Sequence, residues 1–357
     1  MKIIIFGGTG LLGHQAARVA LERGHEVTSF SLNDIELGDW YDKRINVQYG
    51  DIFEMTEEQL VEVCKGYDAM VYAVGPDDRI TPAEPAYEFF KLRLVDHCAK
   101  TFRAARTAGI KKASLCSSYF LYFDRVFPEK KLSEIHPYIK VRKEQAELIK
   151  AEAVAERDGL APLDVYIMEL PYIFGTIPGR NPLWRDVFLE NFVNGWKTIM
   201  FPKGGTVMTT TYHIGESLIG ALEYGEAGAH YSIGDENHDF NWMLDNMLIG
   251  IQGYPRKIYN PAKWMLVMGG GMIAKKDEKK GLHHGLDYKH VMKDIQTDYF
   301  YYPEEEIAAT YEKLHMTRGG VQEAIVETGK ACYKEGEFKL YPRDKKRAEK
   351  LAKKQAK

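Results

Sequence analysis

A glycine-rich turn follows directly on an apolar segment at the start of the chain. Residues 1–6 read Met-Lys-Ile-Ile-Ile-Phe, which is typical of a buried strand, and residues 7–13 read Gly-Gly-Thr-Gly-Leu-Leu-Gly. Apolar side chains then recur at helical spacing up to Gly24, a residue suited to a left-handed helix cap. Glycines at 7, 10 and 13 let the backbone turn tightly and approach a phosphate closely. The sequence therefore predicts a strand, a phosphate-binding turn and a helix.

The start of this helix, at residue 11, suits an anion. Its unpaired N–H groups and partial positive charge favour a phosphate without help from Lys or Arg. A plain strand-to-helix turn with no ligand is the alternative interpretation. A full strand before the turn and a second strand at residues 25–31 favour a nucleotide-binding fold.

The spacing Gly7, Gly10, Gly13 resembles that of the short-chain dehydrogenase/reductase family, especially its extended branch of NAD-dependent epimerases and dehydratases. This resemblance implies an α/β fold, with a Rossmann-type doubly wound parallel sheet and a smaller C-terminal substrate-binding part. It is clear over residues 1–175, which we expect to form the NAD(P)-binding domain. Residues 176–357 are expected to be mainly substrate-binding, with a helical C-terminal extension.

Composition narrows the class of partner. The 357 residues carry a net charge of −3 and 45% hydrophobic residues, so the chain can bury a large core and lacks a global attraction to nucleic acid or membranes. Four cysteines without C-x-x-C spacing and an N-terminal core strand favour a cytoplasmic protein. We expect a small-molecule substrate, no nucleic acid and no membrane partner, and a homodimer is compatible with the resemblance.

The end of the second strand bears on the choice between NAD and NADP. The resemblance places Ser31 beside the adenosine ribose, where an acidic residue favours NAD and an adjacent Arg favours NADP. Ser31 is neutral and no Arg follows it closely, while Asp34 argues weakly for NAD. The cofactor is therefore NAD or NADP.

Further cofactor contacts follow from the resemblance. Asp51, after the third strand, is expected to accept a hydrogen bond from the adenine amine, and its alternative role is to cap a turn. The fourth strand ends at residues 73–75, beside the expected ribose and pyrophosphate, and residues 171–173 would face the nicotinamide amide. The expected cofactor-binding residues are Gly7, Thr9, Gly10, Leu11, Leu12, Gly13, Ser31, Asp51, Ile52, Ala73, Val74, Gly75, Lys143, Pro171, Tyr172 and Ile173.

Residues 117–122, Ser-Ser-Tyr-Phe-Leu-Tyr, resemble the family's Ser-Ser-x-x-x-Tyr signature. Ser118 occupies the position of the catalytic hydroxyl, which would bind the reacting oxygen of the substrate. A strand-end serine that caps backbone is the alternative. Tyr119 and His213 are expected to contact the substrate. A single histidine is weak support for such a site.

The family's Tyr-x-x-x-Lys motif has two competing registers here. In one, Tyr138 is the proton donor and Arg142 replaces the Lys, which keeps the positive charge on a planar group. In the other, Lys143 is the family's Lys and Ile139 replaces the Tyr. Tyr138 and Lys143 cannot share a regular helix face, since five residues rotate the helix by about 140°. A distorted first turn at Pro137 would reconcile them.

A histidine cluster and a basic segment in the second half are interpreted as structural and not as ligand-binding. His283, His284 and His290 lack a recognised ligand spacing, so we expect a solvated loop and no metal. The basic residues 339–357 are expected to form a solvated helix or frayed tail.

Two functions remain open from the sequence. The first is an NAD(P)-dependent oxidoreductase or epimerase-type enzyme that moves hydride to or from a carbonyl or secondary alcohol carbon, with a nucleotide sugar or a small ketone as substrate. The second is an NAD(P)-binding regulatory or partner-binding protein without a catalytic Tyr.

Overall fold

The structure is a computed structural model that describes residues 1–156 and 159–355. Its strands are β1 (Lys2–Phe6), β2 (Glu26–Ser31), β3 (Asn46–Tyr49), β4 (Ala69–Tyr72), β5 (Lys112–Cys116), β6 (Asp164–Glu169), β7 (Tyr172–Phe174), β8 (Ile199–Met200), β9 (Gly205–Thr210), β10 (His230–Ser232), β11 (Glu236–Asp239), β12 (Ile258–Tyr259) and β13 (Tyr299–Phe300).

The α-helices are α1 (Leu11–Glu22), α2 (Glu57–Cys64), α3 (Ala86–Phe90), α4 (His97–Thr107), α5 (Phe120–Val126), α6 (Leu132–Ile135), α7 (Pro137–Val154), α8 (Glu190–Phe192), α9 (Thr211–Tyr224), α10 (Phe240–Gln252), α11 (Lys263–Glu278), α12 (Tyr288–His290), α13 (Glu304–Lys313), α14 (Val321–Cys332) and α15 (Pro342–Gln355). Helical segments with π geometry are Lys91–Asp96, Arg185–Leu189 and Val291–Ile295.

A seven-stranded sheet forms the centre of the molecule. Its strand order is β10-β6-β5-β4-β1-β2-β3, and every pairing in it is parallel. The strand order reverses beside β1, which is the arrangement of a doubly wound sheet. The predicted Rossmann-type fold is confirmed.

Alternating side chains of β1 explain why both sheet faces are covered. Ile3 and Ile5 pack into a core with α1 and α9, whereas Ile4 and Phe6 pack into a core with α2, α4 and α7. All four side chains are fully buried. A parallel strand that is apolar on both faces requires helices on both sides, and this is the architecture observed.

Two helical regions differ in their geometry. Residues 86–107 form α3, a π segment and α4 in succession. By contrast, α7 is an α-helix from its first residue, Pro137, where the missing N–H costs no hydrogen bond. The distorted first turn that would have reconciled Tyr138 with Lys143 is not observed in α7.

The second half contributes to two layers. Strands β7, β9, β11 and β13 form a smaller mixed sheet, and β12 pairs with β8. However, β10 joins the edge of the large sheet beside β6, and α9 packs on α1. The division at residue 175 stays a prediction. No helix in residues 1–156 and 159–355 is long and apolar enough to cross a membrane.

Candidate active site at the carboxyl ends of the strands

The turn after β1 is shaped for close approach of backbone. Gly7 has a φ of +85°, and a Cβ built there would lie 2.5 Å from the Ala73 carbonyl oxygen. A Cβ on Gly13 would overlap the Gly7 carbonyl oxygen. A Cβ on Gly10, however, would meet only that same oxygen, at 3.1 Å, so Gly10 borders otherwise open space. The turn therefore needs its glycines and leaves room for a ligand.

The first turn of α1 is free to bind an anion. Gly10 is its N-cap, makes no side-chain cap and is followed by no acidic residue in the first turn. The Thr9 N–H donates to Ser31 Oγ at 3.1 Å, and Tyr41 OH donates to the Gly8 carbonyl oxygen at 3.1 Å. These bonds fix the loop, while the N-terminal N–H groups of the 12-residue helix suit a pyrophosphate. The residues present fit a dinucleotide.

His14 lies in this region without a hydrogen-bond partner for its ring among the described residues. It is 6% exposed, its ring stacks on Tyr41 at 5.4 Å, and neither ring nitrogen has a hydrogen-bond partner among the described residues. Burial, with a smaller effect of Arg18, lowers the pKa of His14 to about 4. The imidazole is therefore neutral at physiological pH.

Other residues expected to bind the cofactor follow the carboxyl ends of β3 and β4. Ala73 and Val74 border the glycine turn, since both would contact a side chain at Gly7. Asp51 Oδ1 accepts from the Phe53 N–H at 2.9 Å, which is the turn-capping role considered from the sequence, and Ile52 is buried in the core. None of these contacts tests cofactor binding by Asp51, which stays a prediction.

Residues 171–173 lead into β7. Tyr172 OH accepts from Gln296 Nε2 at 2.9 Å, and the Ile173 carbonyl oxygen accepts from Trp184 Nε1 at 2.9 Å. The Tyr172 ring lies 6.3 Å from the ring of Tyr119, whose hydroxyl accepts from Thr206 Oγ1 at 3.4 Å. Two expected site residues, Tyr119 and Tyr172, are thus neighbours.

Two serines follow β5. Ser118 Oγ accepts from the Phe120 N–H at 3.4 Å, so its own hydroxyl hydrogen stays available. Ser117 is also buried, and its Oγ has no hydrogen-bond partner among the described residues. Sequence reasoning chose Ser118 alone and missed Ser117, although the paired serines of the signature were a signal for both.

Tyr138 and Arg142 form the most distinctive contact of the site. Arg142 Nε donates to Tyr138 OH at 2.9 Å, as the spacing of four on α7 allows. Arg142 Nη1 also donates to the Cys116 carbonyl oxygen at 3.2 Å and to Gln145 Oε1 at 2.9 Å. Cys116 is the last residue of β5, so this contact ties Tyr138 to the strand end that carries the serines.

Burial and charge act in opposite directions on this phenol. Tyr138 is 3% exposed, and burial raises its pKa above 10, while the positive charge and hydrogen bond of Arg142 act against that rise. Asp78 also raises the pKa of Tyr138. The phenol therefore keeps its proton at neutral pH.

Lys143 belongs to a different surface. Its Nζ lies 3.1 Å from Asp124 Oδ2, and its side chain is 49% exposed. Ile139, the Tyr position of that register, is fully buried in an apolar core. The structure thus brings Arg142, and not Lys143, to Tyr138.

The charged loop after β4 was given no role in the site from the sequence. Arg79 is paired with Asp77, lies 5.9 Å from the centre of the Trp184 ring and leaves its buried Nε without a hydrogen-bond partner in the part of the chain described. Burial raises the pKa of Asp78. The same carboxylate raises the pKa values of Tyr138, Tyr119 and Tyr172. This loop therefore lies beside the candidate catalytic residues.

A second missed residue is Arg180. Its Nη2 lies 2.9 Å from both carboxylate oxygens of Asp34, on the segment that follows β2. The sequence contains no Arg close to Ser31, but the fold delivers one from 146 positions further along the chain. No local pattern signals this contact.

His213 is held in a buried network. Its Nδ1 lies 2.7 Å from Asp235 Oδ2, which also accepts from Thr209 Oγ1 at 2.7 Å, and Tyr311 OH donates to Asp235 Oδ1 at 2.6 Å. Among the described contacts of His213, none is with Ser118, Tyr138 or Arg142. Substrate binding by His213 stays a prediction.

His284 and His290 each pair with a carboxylate. His284 Nε2 lies 3.1 Å from Asp277 Oδ2, and His290 Nδ1 lies 3.0 Å from Asp294 Oδ2. Among the described residues, no group of three or more His, Cys, Asp or Glu side chains is arranged to hold a metal ion.

Comparison with known proteins adds to this geometry. Residues 7–155 match a family model described as NAD(P)H-binding. No curated protein sequence matches the chain. Among solved structures, gox2253 superposes with a TM-score of 0.70 at 17% identity, covering 95% of this chain and 99% of that one.

Two other solved structures contain bound NAD+. The UDP-glucose 4-epimerase of Bifidobacterium longum, in complex with NAD+ and UDP, has a TM-score of 0.64 at 10% identity, covering 93% of this chain and 98% of that one. The Bordetella bronchiseptica enzyme WbmH, in complex with NAD+, has a TM-score of 0.62 at 13% identity, covering 94% and 99%. Residues 7–155 therefore match an NAD(P)H-binding family, and the chain shares the α/β fold of these solved structures.

Proposed function

We propose that the protein is an NAD(P)-dependent oxidoreductase or epimerase-type enzyme that transfers hydride to or from a carbonyl or secondary alcohol carbon. The observation that supports this most is the Tyr138–Arg142 contact at the end of β5, beside Ser117 and Ser118. A buried phenol, a fixed positive charge and two hydroxyl groups are the groups that such a reaction needs. The fold by itself leaves the reaction open.

Tyr138 handles the proton in this proposal. Its phenol is protonated at neutral pH, because burial raises its pKa, and can donate to the oxygen of a carbonyl that is being reduced. Arg142 Nε donates to the phenol oxygen, so the phenol hydrogen is left to point toward the substrate. The guanidinium, permanently charged, stabilises the phenolate that forms.

The two serines bind the reacting oxygen. Ser118 Oγ already accepts from the backbone and has its hydrogen to donate, and the buried Ser117 Oγ has no partner among the described residues. Hydroxyl donors on a strand end are fixed in position before the substrate arrives, which favours a productive orientation.

The cofactor supplies the hydride acceptor or donor, C4 of its nicotinamide. The residues that would hold the cofactor are the glycine turn with the first turn of α1, the wall at residues 73–75 and the segment 171–173. Asp34 suits the ribose hydroxyls of NAD and Arg180, its ion-pair partner, suits the phosphate of NADP, so both cofactors stay candidates.

A nucleotide sugar or a small ketone is the proposed substrate class. The UDP-glucose 4-epimerase that shares the fold was solved with UDP, and this chain offers Arg79 beside Trp184, a cation and an aromatic ring that suit an anionic, ring-bearing ligand. Tyr119 and His213 are kept as proposed substrate contacts.

Cofactor titration comes first as the test. NADH and NADPH should stabilise the protein against thermal unfolding, by ~2.7 kcal/mol at one hundred times the dissociation constant. Turnover is then screened over nucleotide sugars, ketones and aldehydes. Cofactor binding without any turnover would favour the regulatory alternative, and no binding of either cofactor would refute the proposal.

The role of Tyr138 is tested by Tyr138→Phe. Removal of the hydroxyl should lower turnover by ~10²-fold or more and leave cofactor affinity nearly unchanged. Tyr166→Phe, which removes a buried phenol hydroxyl in the core under α9, is the matched control and should retain activity. Full activity in Tyr138→Phe would show that Tyr138 only anchors α7.

A further inference from the structure

Helix α11 exposes large apolar side chains over much of its length. Trp264, Met268 and Met272 are 67%, 57% and 66% exposed, and their spacing of four places them on one face. Met265 is also exposed and widens this apolar face. Single exposed apolar residues need no explanation, but a contiguous cluster marks an interaction site.

Lysines border the same face. An open groove of about 840 Å³ lies between α11 and residues 288–295. Four lysines line the groove, and no acidic residue does; they are Lys263, Lys275, Lys289 and Lys293. Asp298 lies 3.4 Å from one of them, Lys263, and Asp294 lies 3.8 Å from Lys293. Lys275 and Lys289 have no ion-pair partner in the part of the chain described.

The helix is fixed to the body of the protein at its middle. Gly270 is its one buried residue among those described, and a Cβ there would lie 2.5 Å from the Tyr288 carbonyl oxygen. The apolar side chains, Lys263 and Lys275 are therefore presented by a seated helix, while Lys289 and Lys293 belong to the segment packed against it.

We propose that this surface, the exposed face of α11 with its bordering lysines, binds a membrane that contains anionic lipids. Trp and Met side chains can enter the headgroup region while lysines reach the lipid phosphates around them. Lysines near an anionic surface each add to the attraction within about 8 Å, the screening length at physiological salt.

Other occupants fit this surface less well. A second copy of the chain, paired face to face, would bring the lysines of both copies into one interface without acidic residues of the groove to balance them. A single acidic helix in the groove would leave Met265 uncovered, because Met265 does not line the groove. A flat, anionic and partly apolar medium covers the whole face.

The net charge of the whole chain does not by itself predict membrane binding. A net charge of −3 predicts no global attraction to membranes. The lysines that line the groove are clustered on one side of the protein, however. Because salt screens charges beyond about 8 Å, the charge of this surface matters more for membrane attraction than the net charge of the chain.

Cosedimentation of the full-length protein with lipid vesicles tests the proposal. The protein should bind vesicles of phosphatidylcholine mixed with phosphatidylglycerol and bind pure phosphatidylcholine at least ~10-fold more weakly. Trp264→Ala and Lys289→Glu should each lower binding to the anionic vesicles by ~10-fold or more. Trp196→Ala, at a half-exposed tryptophan outside the groove, and Lys65→Glu, beside the end of α2, are matched controls and should bind as the wild type does.

Three outcomes would overturn the proposal. The first is equal binding to neutral and anionic vesicles, or no binding to either. The second is unchanged binding by Trp264→Ala and Lys289→Glu, with thermal unfolding used to confirm that each variant is folded. The third is a wild-type dimer that Trp264→Ala converts to a monomer in light scattering, because this result would assign the surface to a second copy.

Discussion

Arg142 and Lys143 are adjacent on α7, and replacing each by methionine separates the two registers of the catalytic motif. Arg142 donates hydrogen bonds to Tyr138, Cys116 and Gln145 from a position that is 7% exposed. Lys143 contacts Asp124 at the surface. Methionine fills a similar length in both cases, so the comparison isolates the polar contacts.

The structure sets the size of each effect. A hydrogen bond from a charged donor contributes about 1.5–3 kcal/mol to stability. The three hydrogen bonds of Arg142 come from one group, so their contributions are not additive. Arg142→Met should therefore lower the free energy of unfolding by ~3–5 kcal/mol. Lys143→Met removes one half-exposed ion pair and should cost ~1 kcal/mol or less. Asp124 keeps its hydrogen bonds from the N–H and hydroxyl of Ser133.

Urea unfolding followed by circular dichroism measures both values, and titration with NADH and NADPH measures cofactor affinity. We expect Lys143→Met to bind cofactor as the wild type does and to keep its turnover. In any variant that remains folded without Arg142, turnover should fall, because Tyr138 loses its only hydrogen bond from a permanent cation among the described residues. If Lys143→Met weakens cofactor binding while Arg142→Met is stable and active, the assignment of Arg142 to the site is wrong.

Two further predictions concern the cofactor end. Because the folded-state pKa of His14, about 4, lies below its unfolded value of 6.5, its contribution to stability is complete above pH 6.5 and is lost as the pH falls toward 4. His14→Phe should therefore reduce the loss of unfolding free energy between about pH 7 and about pH 4 by ~1–2 kcal/mol in urea titrations, and an unchanged pH dependence would contradict this. Arg180→Ala should weaken NADPH binding by roughly tenfold with little effect on NADH, since a guanidinium near the ribose recognises a phosphate. Asp34→Ala should free Arg180 and strengthen NADPH binding, and an equal change for both cofactors in a fluorescence titration would refute the assignment.

The local parts of the site were predictable from the sequence. Short segments whose residue pattern determines their local conformation include the glycine turn, the apolar strand before it and the serines after β5. The continuous apolar run of β1 also indicated a buried strand, and the structure confirms this with helices on each side of the sheet.

Contacts between distant segments were not predictable in the same way. Arg180 reaches Asp34 across most of the domain, and Arg79 lies beside Trp184 only because two loops converge. The choice between Arg142 and Lys143 required the axis and rotation of α7, which depend on how Pro137 starts the helix. A sequence fixes spacing along a helix, but neighbouring elements decide which face is buried.

The position of β10 has a consequence for the order in which the chain folds during synthesis. β10 pairs with β6 and α9 covers the sheet face that contains Tyr166 and Met168, yet both elements follow the first 175 residues. While the ribosome has made only those residues, β6 is an edge strand with an open row of backbone hydrogen-bonding groups and an uncovered apolar face. The seven-stranded sheet is completed only when residues 211–232 emerge, so this interval is when the nascent chain is most exposed to strand pairing with other chains.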